Sequence, residues 1–470
     1  MKTASIFVKQ TLINATIDNQ CLLEKLLRSC PDLKTVFILM RPKRGHDIAE
    51  RVEELVRSPL FDRLRNSEGG LQQMEKIVAV KGDITEPLFG LSSEDLDTMR
   101  ANVTIIFHSA ATVKFIEPLN VAVQNNVISV EHLIELASRL PNLEALVHVS
   151  TAYSNCDRKR VDEVFYEKPI DADKLIDMAK WMDSDTLNRI SPILVGKRPN
   201  TYTFTKAVAE SLLMERSKKL LPNIPIAMVR PSIVAGIWRQ PICGWVDNFN
   251  GPTGVILSLM TGAIQAMLAC PNYCADIIPV DIVANLIICT AWQVCQKERD
   301  KGISNKLLST EQNQMKSIDD NLQSKHISIF NCVSGTLNPI AWGDFAKYIL
   351  QVGCVYPPDN VMRRPGTLLI SNEYMFSVYN FLNHTLVAYA GDFFMRLAGN
   401  SRPNLVIIYK RLMKMIDTLK PFTTNQWLFD CSNVKRLYEE LTPIDKEIFN
   451  FDIRQVRWDE YLRKYYVGSK

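Results

Sequence analysis

The chain has 470 residues, more than one ordinary domain length, and 47% of them are hydrophobic against 23% charged. That balance excludes a disordered, collagen-like or coiled-coil chain. A formal net charge of +4 is too mild for the concentrated basic stripe of a nucleic-acid binder, and glycine is scarce, 19 residues with none before Gly45.

In chain order, TVFILM (Thr35–Met40) is a compact apolar run that leads into Arg41-Pro42, and 48–56 then has helical spacing. The run 77–80 leads into Lys81-Gly82-Asp83, and 103–107 into His108-Ser109-Ala110-Ala111. A long helical pattern occupies 119–140, after which Ala145–Val149 runs into Ser150-Thr151. Short apolar runs without alternation are what strands buried on both faces look like. Strand, loop, helix, strand in repetition predicts an α/β fold, a Rossmann-type doubly wound parallel sheet.

The stretches 255–270 and 275–294 are apolar but interrupted by polar residues. Neither supplies the run of about 20 apolar residues that a spanning helix needs, so buried helices are expected. From Lys301 to Lys325 the composition turns polar, as in an exposed insertion or linker. A strand resumes at 326–332, and from about Tyr356 the pattern is helical. The expected organisation is therefore a Rossmann-like nucleotide-binding domain over 1–300, a linker over 301–325, the rest of that domain over 326–355 and a helical C-terminal domain over 356–470.

Eleven cysteines are scattered without any C-x-x-C, and no His or Cys cluster has zinc spacing. Reduced, mostly buried thiols and no metal site are expected.

Ligands of an open parallel sheet lie outside the carboxyl ends of its strands. The residues at those ends are Arg41, Asp83, Ser109-Ala110-Ala111, Ser150-Thr151 and Pro231-Ser232. An acidic residue after the second strand would suit NAD; Arg41, with Lys43 and Arg44, suits the 2′-phosphate of NADP. The same Arg-Pro-Lys-Arg also reads as a solvated turn.

Tyr202 and Lys206 stand at i,i+4 at the start of an apparent helix, so phenol and ammonium share a face. A nearby cation favours phenolate, and a hydroxyl from Thr151 or Ser150 on the same carbonyl oxygen would complete a reducing site. Tyr466 and Lys470 show the same spacing, but Tyr202 follows a strand-end Ser-Thr by about fifty residues and opens a helix. His108 and His148, both in predicted strands, are expected to be core residues rather than bases.

Several longer motifs carry a resemblance. They are LLEKLLRSCPD (22–32), LMRPKRG (39–45), PLFDRLR (59–65), IIFHSAATVKF (105–115), HVSTAYSNC (148–156), RPNTYTFTKAVAE (198–210), VRPSIVAG (229–236), GWVDNFNGPTG (244–254) and IPVDIV (278–283). With LTPIDKEIFNFDIRQVRWDEY (441–461), the chain resembles the alcohol-forming fatty acyl-CoA reductases, extended short-chain dehydrogenase/reductases with a C-terminal "sterile" domain. The resemblance implies NADPH-dependent reduction of long-chain or very-long-chain acyl-CoA to fatty alcohol through an aldehyde, releasing CoA. It implies Thr151, Ser150, Tyr202 and Lys206 as catalytic residues. The cofactor-contacting set would be Arg41, Lys43, Asp83, Ile84, Ser109, Ala110, Ala111, Asn126, Tyr202, Lys206, Pro231, Ser232 and Ile233. Peripheral membrane association and a peroxisomal or endoplasmic-reticulum location are implied by resemblance only; the apolar anchoring tail common in the family is not found up to Lys470.

One departure is sharp. Where the family carries Thr-Gly-x-x-Gly-x-x-Gly after the first strand, this chain reads TLINATIDNQC (11–21), without glycine. Those glycines allow the tight turn and the backbone's approach to the pyrophosphate. An alternative to the enzyme is therefore a catalytically impaired acyl-CoA-binding or interaction protein of the same fold. A sugar-nucleotide or steroid enzyme of the same class is disfavoured by the "sterile" segment.

Overall fold

The computed structural model describes residues 10–14, 17–42, 47–246, 251–308, 327–366, 368–397, 399 and 405–469. Two compact units interleave along the chain: Met1–Ser232, Val280–Val333 and Phe429–Asp452 form the first, and Ile233–Pro279, Ser334–Leu428 and Ile453–Lys470 the second. A consecutive order of domains divided at residue 356 is not what the contacts give. Residues 233–279 leave the nucleotide-type unit early, and 429–452 return to it.

The first unit is built on strands β1 (Gln10–Asn14), β2 (Thr35–Met40), β3 (Ile77–Lys81), β4 (Ile105–His108), β5 (Ala145–Val149), β6 (Ile226–Pro231) and β7 (Ile327–Cys332). Their spatial order is β7-β6-β5-β4-β1-β2-β3, with every neighbouring pair parallel. That is the doubly wound arrangement, its direction reversing at β1. β2, β4, β5 and β6 are buried along nearly their whole length, which is why their sequences are apolar runs rather than alternations. β1 forms despite its unusual sequence, pairing with β2 through Leu12 and Phe37 and with β4 through Leu12 and Ile106.

Helix α1 (Ile17–Ser29) follows β1 almost directly and packs on the long helix that starts at Val280. Helix α2 (Thr201–Leu220) and the helical stretch from Leu119 to Ser138, with a π-turn over Gln124–Ile128, share a core with the sheet. Leu133, Phe204 and Val208 there are fully buried, each contributing roughly 1.5–3 kcal/mol of transfer free energy. Helix α3 (Val280–Leu308) runs on through Lys301, so the polar composition does not begin a linker at that residue. The remainder of the expected linker, 309–325, and residue 326 lie outside the described residues.

The second unit holds two short parallel strand pairs, Ile233–Ala235 with Ile277–Pro279 and Ala266–Leu268 with Leu368–Ile370. The apolar stretch 255–270 is not one helix: Pro252–Met260 is helical, and Gly262, at φ +71°, turns the chain toward the strand Ala266–Leu268. Helices α4 (Glu373–Asn380), α5 (Leu386–Leu397) and α6 (Leu405–Thr423) follow, with a π-turn over Phe381–Thr385 joining α4 to α5. The last helix, Trp458–Gly468, buries Tyr461 and Tyr465, whose hydroxyls reach the Gly236 carbonyl at 2.8 Å and Thr253 Oγ1 at 2.7 Å. A Cβ at Gly236 would stand 2.6 Å from the Tyr465 ring, so this contact requires glycine.

All eleven cysteines are free thiols. No helix among the described residues is long and apolar enough to cross a membrane.

Candidate active site

The parallel sheet brings the carboxyl ends of β2 to β6 to one edge. Arg41 follows β2, and its Nη2 makes an ion pair with Asp83 Oδ1 at 2.8 Å, both side chains partly solvated. Arg41 also lies 3.4 Å from Asn125 Oδ1. Asp83 additionally accepts from the Thr85 amide at 2.8 Å and the Thr85 hydroxyl at 2.7 Å. Ile84 is buried beside it, its carbonyl 3.2 Å from His132 Nδ1. Lys43 lies outside the described residues.

After β4, the small residues Ser109, Ala110 and Ala111 follow as irregular backbone. Asn126 is buried and anchors the chain just beyond it: its Oδ1 accepts from the Thr112 amide at 2.9 Å, and its Nδ2 donates to Thr205 Oγ1 at 3.0 Å and to the Thr112 carbonyl at 3.4 Å. Both amide hydrogens are thus committed within the protein, which makes Asn126 a clamp between this loop and α2 rather than a donor turned outward.

After β5, Ser150 and Thr151 diverge. Thr151 Oγ1 accepts from the Tyr153 amide at 3.3 Å, capping a short 3₁₀ turn over Ala152–Asn155, and lies 3.4 Å from the Pro231 carbonyl at the end of β6. Ser150 Oγ instead donates to Glu210 Oε1 at 2.5 Å, inside the protein. Ser232, next along the edge, is 6% exposed, and its Oγ has no hydrogen-bond partner. Ile233, by contrast, belongs to the second unit, where its amide donates to the Asp276 carbonyl at 3.2 Å.

Asn200 sets the start of α2: its side chain accepts from the Thr203 amide at 2.9 Å. Tyr202 therefore sits in the first turn, its ring 5.4 Å from Phe115, with Lys206 one turn further on. Lys206 is 3% exposed and donates to the Val149 carbonyl at 2.9 Å, which holds its ammonium at the end of β5. Burial lowers the Lys206 pKa to about 8, partly offset by the Glu210 carboxylate.

Glu210 and Arg230 are the residues that sequence reasoning passed over. Both are buried, Arg230 completely, and they pair at 2.7 Å and 3.0 Å. Glu210 also accepts from Ser154 Oγ at 2.9 Å and Asn155 Nδ2 at 3.2 Å, while Arg230 donates to the Asp162 and Val164 carbonyls at 3.2 and 3.1 Å. An arginine inside the apolar run IAMVRP was itself a signal, since a buried guanidinium demands a partner.

His108 and His148 face each other across β4 and β5, Nδ1 to Nδ1 at 3.0 Å, both buried as expected. Burial first and the charge of Lys206 second lower both pKa values, that of His108 to about 3. No group of metal-ligating side chains occurs among the described residues.

The site has clear relatives. A family model described as Male sterility protein, of the NAD-binding type, matches residues 19–287, and the Sterile model of the same description matches 383–470. The chain is 40% identical to fatty acyl-CoA reductase 1 of Mus musculus over 449 residues, 96% of this chain and 81% of that protein. It is 36% identical to fatty acyl-CoA reductase 2 of Bos taurus over the same shares. Among solved structures, the terminal R domain of the myxalamid PKS-NRPS pathway superimposes with a TM-score of 0.61 over 98% of this chain and 90% of its own, at 16% identity, a likeness of fold alone. A nicotinamide-dinucleotide-binding sheet, a Tyr–Lys pair at its edge and similarity along nearly the whole sequence converge: this chain belongs to the fatty acyl-CoA reductases and is an alcohol-forming reductase.

Proposed function

We propose that this chain reduces long-chain or very-long-chain fatty acyl-CoA to the fatty alcohol through the aldehyde, with NADPH as reductant and CoA released as the thiol. The observation that carries this reading is Lys206, buried, fixed on the Val149 carbonyl and one helical turn from Tyr202.

The residues at the sheet edge fit a nicotinamide nucleotide. Ser232 Oγ is a buried hydroxyl without a partner at the end of β6, an atom that a bound polar group would satisfy. Lys206 spends one ammonium hydrogen on Val149, leaving two for the ribose. In this reading Arg41 meets the 2′-phosphate, which would share or displace its ion pair with Asp83. When bound, each reduced cofactor supplies one hydride, so two are consumed between thioester and alcohol.

The chain's own residues would orient the carbonyl and manage the proton. Thr151 Oγ1, held by the Tyr153 amide, turns its hydrogen from the long 3.4 Å contact with the Pro231 carbonyl to the substrate's carbonyl oxygen. Tyr202 donates its phenolic proton as negative charge develops there, and the Lys206 ammonium stabilises the phenolate left behind. Ser150 is withheld from that oxygen by its bond to Glu210, so we assign it a positioning part. The same reading includes peripheral association with a peroxisomal or endoplasmic-reticulum membrane.

The glycine-free sequence 11–21, from β1 into α1, favours a second reading, a catalytically impaired acyl-CoA-binding or interaction protein of this fold. Titration of the purified chain with NADPH, followed by an assay of long-chain acyl-CoA for fatty alcohol, separates the two. Saturable NADPH binding with alcohol formation is expected. No binding at millimolar NADPH would overturn the enzymatic reading.

A further inference from the structure

Helices α4 and α5 with the π-turn between them make one helical run, and its outward stripe is apolar. Tyr374, Val378, Leu382, Leu386, Tyr389, Phe393 and Leu397 recur at steps of three or four residues and are all exposed, Tyr374 by 78% and Leu397 by 69%. Met375, Phe381, Val387 and Phe394 widen the stripe. The opposite side is already satisfied within its own unit, because Phe376, His384, Ala388 and Asp392 are buried. Large apolar groups repeated on the wet side of a helix mark a surface that something else covers.

The charges identify what covers it. Between Tyr374 and Leu397 the one carboxylate is Asp392, buried and spent on the Leu405 and Val406 amides at 2.7 and 3.4 Å. The exposed charges on this run and along the neighbouring α6 are chiefly cationic: Arg396, then Lys410, Arg411 and Lys414 near Ile407, against Asp417. Glu373, at the far end, is neutralised by Lys420 at 2.8 Å. Aromatic and leucine side chains with lysine and arginine beside them fit the boundary between acyl chains and anionic headgroups. A second copy of the chain fits worse, since two-fold pairing of this face would bring its own cations together.

We propose that the α4–α5 face, flanked by the cations of α5 and α6, docks on an anionic lipid bilayer surface without spanning it. This inference rests on the membrane association included in the proposed function and gives it a surface; vesicle binding is scored without turnover, so its failure would leave the reductase reading standing.

Flotation of the full chain with phosphatidylcholine vesicles, with and without phosphatidylserine, tests it. The chain is expected to float with the anionic vesicles, more weakly as salt rises. Phe394→Ser with Leu397→Ser should weaken binding by about 100-fold through lost apolar insertion. Lys410→Glu with Arg411→Glu should weaken it by about tenfold and remove most of the salt dependence. These side chains are exposed, so far-UV circular dichroism and melting temperature should stay as in the parent. The proposal is overturned if the chain floats with neither vesicle, or if the serine variant floats as well as the parent. It is equally overturned if the serine substitutions leave vesicle binding intact and dissociate a dimer, which would assign the face to a second copy.

Discussion

The hydroxyl of Ser150 donates to Glu210 at 2.5 Å, while Thr151, its neighbour, caps the turn beyond β5. Two adjacent hydroxyls that look interchangeable in sequence are thereby given different work. Thr151→Ala should cut kcat by about a hundredfold, the cost of losing one oxyanion-type donor. Ser150→Ala should leave kcat within a few-fold and mainly lower stability, by about 1 kcal/mol. Steady-state kinetics beside denaturant unfolding distinguish the two; equal losses of kcat would refute the division.

Tyr202→Phe removes one oxygen from a ring that keeps its packing on Phe115. Turnover should drop by about a hundred- to ten-thousandfold. NADPH affinity, measured by fluorescence titration, should stay close to that of the parent. Full activity in this variant would remove Tyr202 from the chemistry.

Glu210 and Arg230 form a closed, fully desolvated pair, and removing one partner strands the other. Glu210→Ala should destabilise the chain by about 3–5 kcal/mol, read from urea unfolding. A loss below about 1 kcal/mol would mean that water reaches Arg230 once the carboxylate is gone.

The Lys206 ammonium is needed at the site and its pKa is lowered to about 8. Its charge is present below that value and lost as pH rises through it, so kcat should fall on the alkaline side near pH 8. Lys206→Arg keeps a cation that does not titrate in this range and should abolish that limb, whatever its effect on absolute rate. Glu210→Gln, which removes a charge that supports the ammonium, should move the limb to lower pH. An alkaline limb unmoved in both variants would exclude Lys206 as its source.

His108 and His148 are held neutral, with pKa values below the ordinary 6.5. The unfolded chain therefore takes up protons before the native one, and stability falls as pH drops below about 6.5. Melting temperature measured from pH 7 to 4 should decline, and the decline should be shallower after His108→Asn with His148→Asn. An equally steep decline in that variant would place the acid sensitivity in other groups.

Much of the sheet was legible because β2, β4, β5 and β6 are buried on both faces and so written as unbroken apolar runs. The opening of α2 was legible at the Tyr202–Lys206 pair, though the Asn200 cap that sets it was not singled out. Glu210 was not, because a glutamate one turn beyond a lysine looks like an ordinary helix-surface ion pair until the strand bearing Arg230 is seen beside it. That Ser232 ends one unit and Ile233 begins the other was not legible either, because sequence adjacency carries no sign of where one unit gives way to another. Interleaving itself is a long-range property, decided by which distant segments bury each other.

β1 pairs on both sides, with β2 and with β4. Deleting it would split the seven strands into a two-stranded ribbon of β2 and β3 and a four-stranded remnant of β4 to β7, each with a raw edge of unpaired amides and carbonyls. The strand that opens the glycine-free stretch 11–21 is thus also one whose backbone the sheet can ill spare.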